Sequence, residues 1–324
     1  MEASVSDSAR LVVEELLQVH ADERVGIVLD AESVRVMVEA IAEAVASLGA
    51  ECTLMEMPVR MDAQRNELTR PIERALEETQ VLIGLTGSCG APTYSAVVQD
   101  LLKREQLRMI SMVMRPLEVF TGGGALADYR ALHDDGRRLG RLWESGRRMR
   151  ITSPAGTDIT APIAFEDVWV ECGYANRPGM ASAFSDGEVS SRPLEGTAEG
   201  VIVVDGPIAH LGKPDEPLRI DVAGGRVQAV AGASGQAAEL RHLLDTISNL
   251  DNIAEFGIGL NPACRRNGRF EEEKKARGNV HIALGDNIFY GGTTASPIHM
   301  DMVIYEPTVT LDDKVLVERG HVRL

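Results

Sequence analysis

Val25-Gly26-Ile27-Val28-Leu29 is a continuous apolar run of strand length, and the residues after it decide the fold. Residues 33–48 place apolar side chains at helical spacing, Gly49 stands where a helix C-terminus takes a left-handed residue, and 51–57 is a second β-type run. The alternation continues outward. Runs at 81–86 and 108–113 read as further strands, with helical stretches at 9–19, 71–78 and 94–104 around them. Unbroken apolar strands are buried on both faces, and strand–helix alternation predicts a parallel sheet covered by helices on both sides. A long helix over 125–147 leads out of this N-terminal doubly wound α/β domain, of Rossmann or flavodoxin-like kind, expected to span residues 1–147.

From residue 148 the pattern changes to short β-type runs at 150–153, 158–162, 201–205, 218–222 and 226–231, punctuated by Gly, Pro and Asp. Gly224-Gly225 between two of them signals a hairpin. One helix follows at 235–244, and strands at 299–305, 308–311 and 314–318 close the chain. Residues 148–324 are therefore expected to form an α+β domain with a mixed or antiparallel sheet, and this domain carries the metal-type residues.

A formal net charge of −16 over 324 residues excludes a phosphate-backbone partner, which requires a basic face. The N-terminus lacks the basic and apolar regions of a secretion signal, and no window is apolar for long enough to span a bilayer, so a cytoplasmic protein is expected. Cys52, Cys89, Cys172 and Cys264 form no C-x-x-C pair and read as reduced thiols; Cys89, in Thr86-Gly87-Ser88-Cys89-Gly90, is a weak nucleophile candidate. That segment is not G-x-G-x-x-G, no phosphate-binding P-loop exists, and Gly122-Gly123-Gly124 reads as a connector ahead of a helix.

The chemistry-bearing residues concentrate late in the chain. His299-Met300-Asp301 in an extended strand aims an imidazole and a carboxylate to the same side, and His281 opens the apolar run Ile282-Ala283-Leu284. Glu188 follows Gly187. Glu255 lies among apolar and glycine residues, where a carboxylate needs a cation or a donor set. These nitrogen and oxygen donors suit one or two divalent ions of Zn, Mn, Co or Fe(II). Glu271-Glu272-Glu273-Lys274-Lys275 reads as a solvated charged face, close enough before His281 for one of its carboxylates or Lys274 to reach the site.

At these residues the chain resembles the aminopeptidase T family of metallo-aminopeptidases. Gly187-Glu188-Val189, Ala254-Glu255, His281-Ile282-Ala283-Leu284-Gly285 and Ile298-His299-Met300-Asp301 match the segments that bind two divalent metals there. The resemblance implies Glu188, Glu255, His281, His299 and Asp301 as ligands. The family's tyrosine ligand falls on Ile288; Tyr290, two positions later, takes its place through a local bulge, or one metal is held more weakly. Over nearly its whole length the chain is also similar to the 2,5-dihydroxypyridine 5,6-dioxygenase family of mononuclear iron enzymes, at 155–162, 173–179, 257–262 and 311–314. There two histidines and an aspartate hold iron. His299 and Asp301 match, the first histidine falls on Glu255, and a further active-site histidine falls near Gly87-Ser88.

Glu255 and Glu188 make the donor set more anionic than an iron triad, which favours hydrolysis: the metal polarises a carbonyl and activates water. The expected activity is cleavage of an amide or peptide-type bond in a small molecule or short peptide. Glu273 is the candidate general base, Tyr290 a second catalytic candidate, and Arg177 a candidate for a substrate carboxylate. The alternative is a non-haem Fe(II) dioxygenase opening a hydroxylated pyridine-like ring. A homodimer is expected by family analogy.

Overall fold

The computed structural model describes residues 2–60, 66–88, 90–113 and 115–324; Cys89 lies outside the described residues. The chain forms two compact units. The first comprises Met1–Tyr129 and Glu171–Asp186, the second Arg130–Val170 and Gly187–Leu324. The change of unit thus falls at Tyr129 rather than at 147, and 171–186 returns to the first unit. Local contacts give the reason. Trp143, late in the helix Tyr129–Glu144, is fully buried and donates its indole N–H to Ser191 Oγ of the second unit (2.9 Å), whereas Ala181–Ala183 pairs with Arg108–Ser111 of the first.

The first unit is built on a parallel sheet in the order Glu51–Glu56, Arg24–Leu29, Val81–Gly84, Arg108–Ser111, Ala181–Ala183. Helices Arg35–Ser47, Arg70–Leu76 and Ala96–Lys103 cross over between consecutive strands, as the alternation predicts. All of Val81–Gly84 is buried, as expected for a central strand. Glu51–Glu56 differs from expectation: it is an edge strand with Leu54 52% exposed. Its apolar run reflects β-propensity rather than burial on two faces.

In this strand order the connection reverses direction beside Arg24–Leu29, and open α/β sheets form their binding crevice at the carboxyl ends of the strands flanking such a point, here Arg24–Leu29 and Val81–Gly84. The crevice is occupied from within. Asp30, fully buried, accepts hydrogen bonds from Gly87 N (2.9 Å), Ser88 N (3.1 Å) and Ser88 Oγ (2.5 Å), as well as from Ser33 Oγ (3.1 Å). Burial opposes its charge, but the Ser88, Gly87 and Ser33 donors prevail and hold the carboxyl below its ordinary value.

Asp30→Ala leaves the Gly87 and Ser88 amides without an acceptor and is expected to cost about 3 kcal/mol. Because the folded pKa is depressed, this stabilisation is complete above the unfolded value of about 3.9. It is lost as pH falls through the lower folded value. Urea midpoints of both proteins at pH 7 and pH 3 check this: the gap should narrow at pH 3, and an unchanged gap refutes it.

The second unit contains two sheets. An eight-stranded antiparallel sheet runs from Arg226–Ala231 at one edge to His321–Val322 at the other, and includes the hairpin Leu218–Ala223 with Arg226–Ala231. Gly224 and Gly225 at its turn both have positive φ (57° and 70°), as a two-residue hairpin loop requires. The other sheet, of five strands, carries the candidate site. An α/β unit on a parallel sheet and an α+β unit on antiparallel sheets are the expected fold class. No helix among the described residues is long and apolar enough to cross a membrane.

Candidate metal centre

The five-stranded sheet runs in the order His299–Ile304, Val280–Gly285, Ile253–Gly259, Glu188–Ser191, Trp169–Glu171. Its antiparallel register sets Glu188 opposite Gly259, Gly257 opposite His281, Ala283 opposite both Glu255 and Asp301, and Gly285 opposite His299. Directly paired residues and their i±2 neighbours share a face. All five acidic and imidazole side chains therefore stand on one side of the sheet, separated by glycine and alanine.

The small residues make room for the large ones. A Cβ on Gly257 would lie 2.0 Å from His281 Nε2, so the imidazole sits directly over the Gly257 backbone. A Cβ on Gly259 would meet Ala276 O at 2.4 Å and Lys274 O at 2.8 Å, so that strand also seats the 274–276 segment.

The donor atoms converge around one carboxylate. Glu255 Oε2 lies 2.9 Å from His299 Nε2 and Oε1 lies 3.4 Å from His281 Nε2; His281 Nε2 lies 3.5 Å from Glu188 Oε2, and His299 Nε2 lies 3.5 Å from Asp301 Oδ1. Two groups, each with ligand atoms within 4.8 Å of one another, result: Glu188–Glu255–His281 and Glu255–His299–Asp301. Glu255 belongs to both. Glu255 and His281 are fully buried, Glu188 is 1% exposed and Asp301 5%.

Asp301 Oδ1 is buried without a hydrogen-bond donor. An acceptor left bare in this way, beside converging imidazole nitrogens, fits a divalent cation.

Two lysines border the cluster. Lys274 Nζ approaches Asp301 Oδ2 (3.1 Å) and Glu188 Oε1 (3.6 Å), and Lys275 Nζ approaches Glu188 Oε1 (2.9 Å). Burial opposes the charge of Glu255, but Lys274, His281 and His299 hold its carboxyl well below the usual range. Burial likewise opposes Asp301, and Lys274 and His299 lower it. Burial disfavours the His299 imidazolium, yet Asp301 and Glu255 push its pKa well above the ordinary value. His299 Nδ1 donates to Asp286 O (2.7 Å), which leaves Nε2 facing the cluster.

The loop ahead of His299 is held by another carboxylate. Glu195 accepts from Asn287 Nδ2 (2.9 Å), Thr293 N (2.8 Å) and Thr294 N (3.0 Å). Burial opposes its charge, but the Thr293, Asn287 and Thr294 donors bring its carboxyl down to about 2. Within this loop the Tyr290 ring lies tilted against His299, with centroids 5.5 Å apart, while Ile288 is 47% exposed. The residue at the family's tyrosine position thus faces outward, and Tyr290 is the tyrosine brought beside the donors.

Glu273, the expected general base, is placed differently. Its carboxylate accepts from Tyr305 Oη and Gly268 N, and it belongs to neither donor group. Burial, followed by the neighbouring Glu273 carboxylate, raises the Tyr305 pKa. The 271–275 run is not a solvated face: Glu272, Glu273 and Lys275 are buried, with Glu272 paired to Arg265 (2.9 Å). Arg177 is exposed and lies in the first unit, not on this sheet. Gly257, Gly259, Lys275 and Glu195 were not anticipated. For the two glycines the visible signal is their alternation with Glu255, which leaves one strand face bare, and no local signal marks Lys275 or Glu195.

A family model described as NicX, 2,5-dihydroxypyridine 5,6-dioxygenase, matches residues 10–324. The chain belongs to the NicX family. A curated 2,5-dihydroxypyridine 5,6-dioxygenase from Pseudomonas putida KT2440 is 25% identical to this NicX-family chain over 315 residues, covering 88% of the chain and 86% of that protein. The solved structure of 2,5-dihydroxypyridine dioxygenase from the same organism matches with a TM-score of 0.81 at 23% identity, covering 98% of this chain and 96% of that one. Wild-type AmpT from Thermus thermophilus matches with a TM-score of 0.71 at 17% identity, covering 99% of both chains. Both resemblances seen in the sequence are met, and at these identities the two structures speak for the fold of NicX-family members rather than for their reaction.

Proposed function

We propose that the chain is a metal-dependent hydrolase that cleaves an amide or peptide-type bond in a small molecule or short peptide. Glu188, Glu255, His281, His299 and Asp301 would hold one or two divalent ions. The observation that supports this most is Glu255, whose two oxygens face different imidazoles and which is common to both donor groups. A carboxylate shared in this way suits a hydrolytic centre better than a mononuclear iron triad, which uses one carboxylate and leaves adjacent positions open.

When bound, the metal supplies Lewis acidity, polarising a carbonyl and lowering the pKa of water. The chain's own residues do the rest. Asp286 O fixes the His299 ring so that Nε2 faces the donors, and Gly257 seats His281. Because Glu273 is committed to Tyr305 and Gly268, proton transfer falls to the carboxylates of the sheet face.

A second reading is favoured by the family match: an O2-dependent enzyme opening a hydroxylated pyridine ring, with its metal on Glu255, His299 and Asp301. Metal-loaded protein should release amine from aminoacyl anilides and short peptides at the same rate with and without O2. Consumption of O2 together with 2,5-dihydroxypyridine, and no amide cleavage, would move the conclusion to the second reading.

A further inference from the structure

We propose that the second unit carries a binding site for a free acidic amino acid, a small dicarboxylate that also bears an ammonium group. The site stands apart from the metal centre, since none of the five donor residues lines it, and it is independent of the reaction performed there. Its cavity measures about 540 Å3, a size that suits a small ligand. Arg266, Arg277, Arg319 and His321 line it, together with Asn279 and Glu306. In a chain with 49 acidic and 33 basic residues, three guanidiniums against one carboxylate invert the overall balance.

Three turns of the chain build the cavity. Residues 277–279 lead into Val280–Gly285, 306–307 lie between His299–Ile304 and Thr308–Leu311, and 319–320 join Lys314–Glu318 to His321–Val322. Backbone bonds pin them: Gly278 N donates to Gly259 O (2.9 Å) and Gly320 N to Pro307 O (2.8 Å). A Cβ on Gly278, whose φ is +87°, would lie 1.8 Å from Gly320 O, so the first turn rests directly on the third. Two of the arginines are also held in place. Arg277 donates to Asp135 Oδ2 (2.8 Å) and Leu260 O (3.3 Å), and the Arg266 guanidinium lies over the Tyr305 ring, 4.0 Å from its centroid.

The groups left over indicate the ligand. Arg319 and Glu306 line the same cavity, yet neither is ion-paired to the other or to any other charged side chain among the described residues. Asn279 is 6% exposed; its Nδ2 donates to Glu273 O (2.9 Å), and its Oδ1 accepts no hydrogen bond among the described residues. A simple anion would be repelled by Glu306, and a simple cation by the arginines. A molecule with both charges suits each: carboxylates take the guanidinium forks of Arg319 and Arg266, and an ammonium donates to Glu306 and Asn279 Oδ1. Two guanidiniums besides the one tied to Asp135 call for two carboxylates.

Full-length, metal-loaded protein is titrated calorimetrically with glutamate, glutarate and glutamine, alongside Arg319→Ala and Glu306→Gln. Both residues are exposed, so the substitutions leave the core intact. Glutarate lacks the ammonium and glutamine the second carboxylate, so each is expected to bind about tenfold more weakly than glutamate. Arg319→Ala should weaken glutamate binding by about tenfold, and Glu306→Gln should bring glutamate down to the level of glutarate. The proposal is overturned by no saturation with glutamate in the millimolar range, or by glutarate or glutamine binding as tightly as glutamate. Wild-type affinity in Arg319→Ala also overturns it, since glutamate would then be bound elsewhere, as at the metal centre. The comparison of the three ligands on the wild type stands even if a variant fails to fold.

Discussion

Glu255→Gln is expected to lower kcat/KM by at least about 10³-fold, which corresponds to about 4 kcal/mol of lost transition-state stabilisation. The substitution keeps the shape of the side chain and removes its charge. It acts on both donor groups, because Glu255 is common to Glu188–His281 on one side and His299–Asp301 on the other. It also takes away the anion that His299 faces at 2.9 Å, so the metal-free protein is left with a buried imidazolium that is less well compensated. Removing one partner of a buried pair costs about 3–5 kcal/mol. Two measurements check this. Added divalent ion should raise the melting temperature of the wild type, as any ligand of the native state does, and should leave that of the variant unchanged. Activity within tenfold of wild type, with metal-induced stabilisation retained, would show that Glu255 is not the shared ligand.

Gly257→Ala is expected to displace His281 without touching any ionisable group. The new methyl would lie 2.0 Å from His281 Nε2 and 2.1 Å from Cε1, so either the ring turns out of the cluster or the paired strands part. Overpacking of this kind costs about 1–3 kcal/mol. Losing the orientation of one donor should weaken metal binding by about 10²-fold. A double substitution separates the two effects. Adding His281→Ala to Gly257→Ala should restore part of the stability, because the clash is gone, but none of the metal affinity. If Gly257→Ala alone binds metal as the wild type does, His281 is not held where the register places it.

How far the sequence revealed this molecule depended on how local each feature is. Strands such as Arg24–Leu29 and Val81–Gly84 were legible because their apolar runs are short, unbroken and flanked by helical spacing. The central strands of the metal-bearing sheet were not. Ile253–Gly259 and Val280–Gly285 are buried at every position and mix glycine with Glu255 and His281, so they show neither the alternation of a half-buried strand nor the composition of an apolar one. The donors themselves were found through the His299-x-Asp301 spacing and the family resemblance. That Glu273 turns inward is not legible in the 271–275 run, because its partner, Tyr305, lies 32 residues away.

Asp30 gives the first unit a character that its fold class alone does not suggest. Doubly wound sheets bind phosphorylated ligands where the strand order reverses, by offering amide N–H groups to the anion. Here Gly87 and Ser88 present those N–H groups to a carboxylate of the same chain. The seat that an anion would take is filled by the chain's own Asp30 carboxylate, which would repel an arriving phosphate by like charge. A phosphate would have to displace the Asp30 carboxylate from these two amides before it could use them.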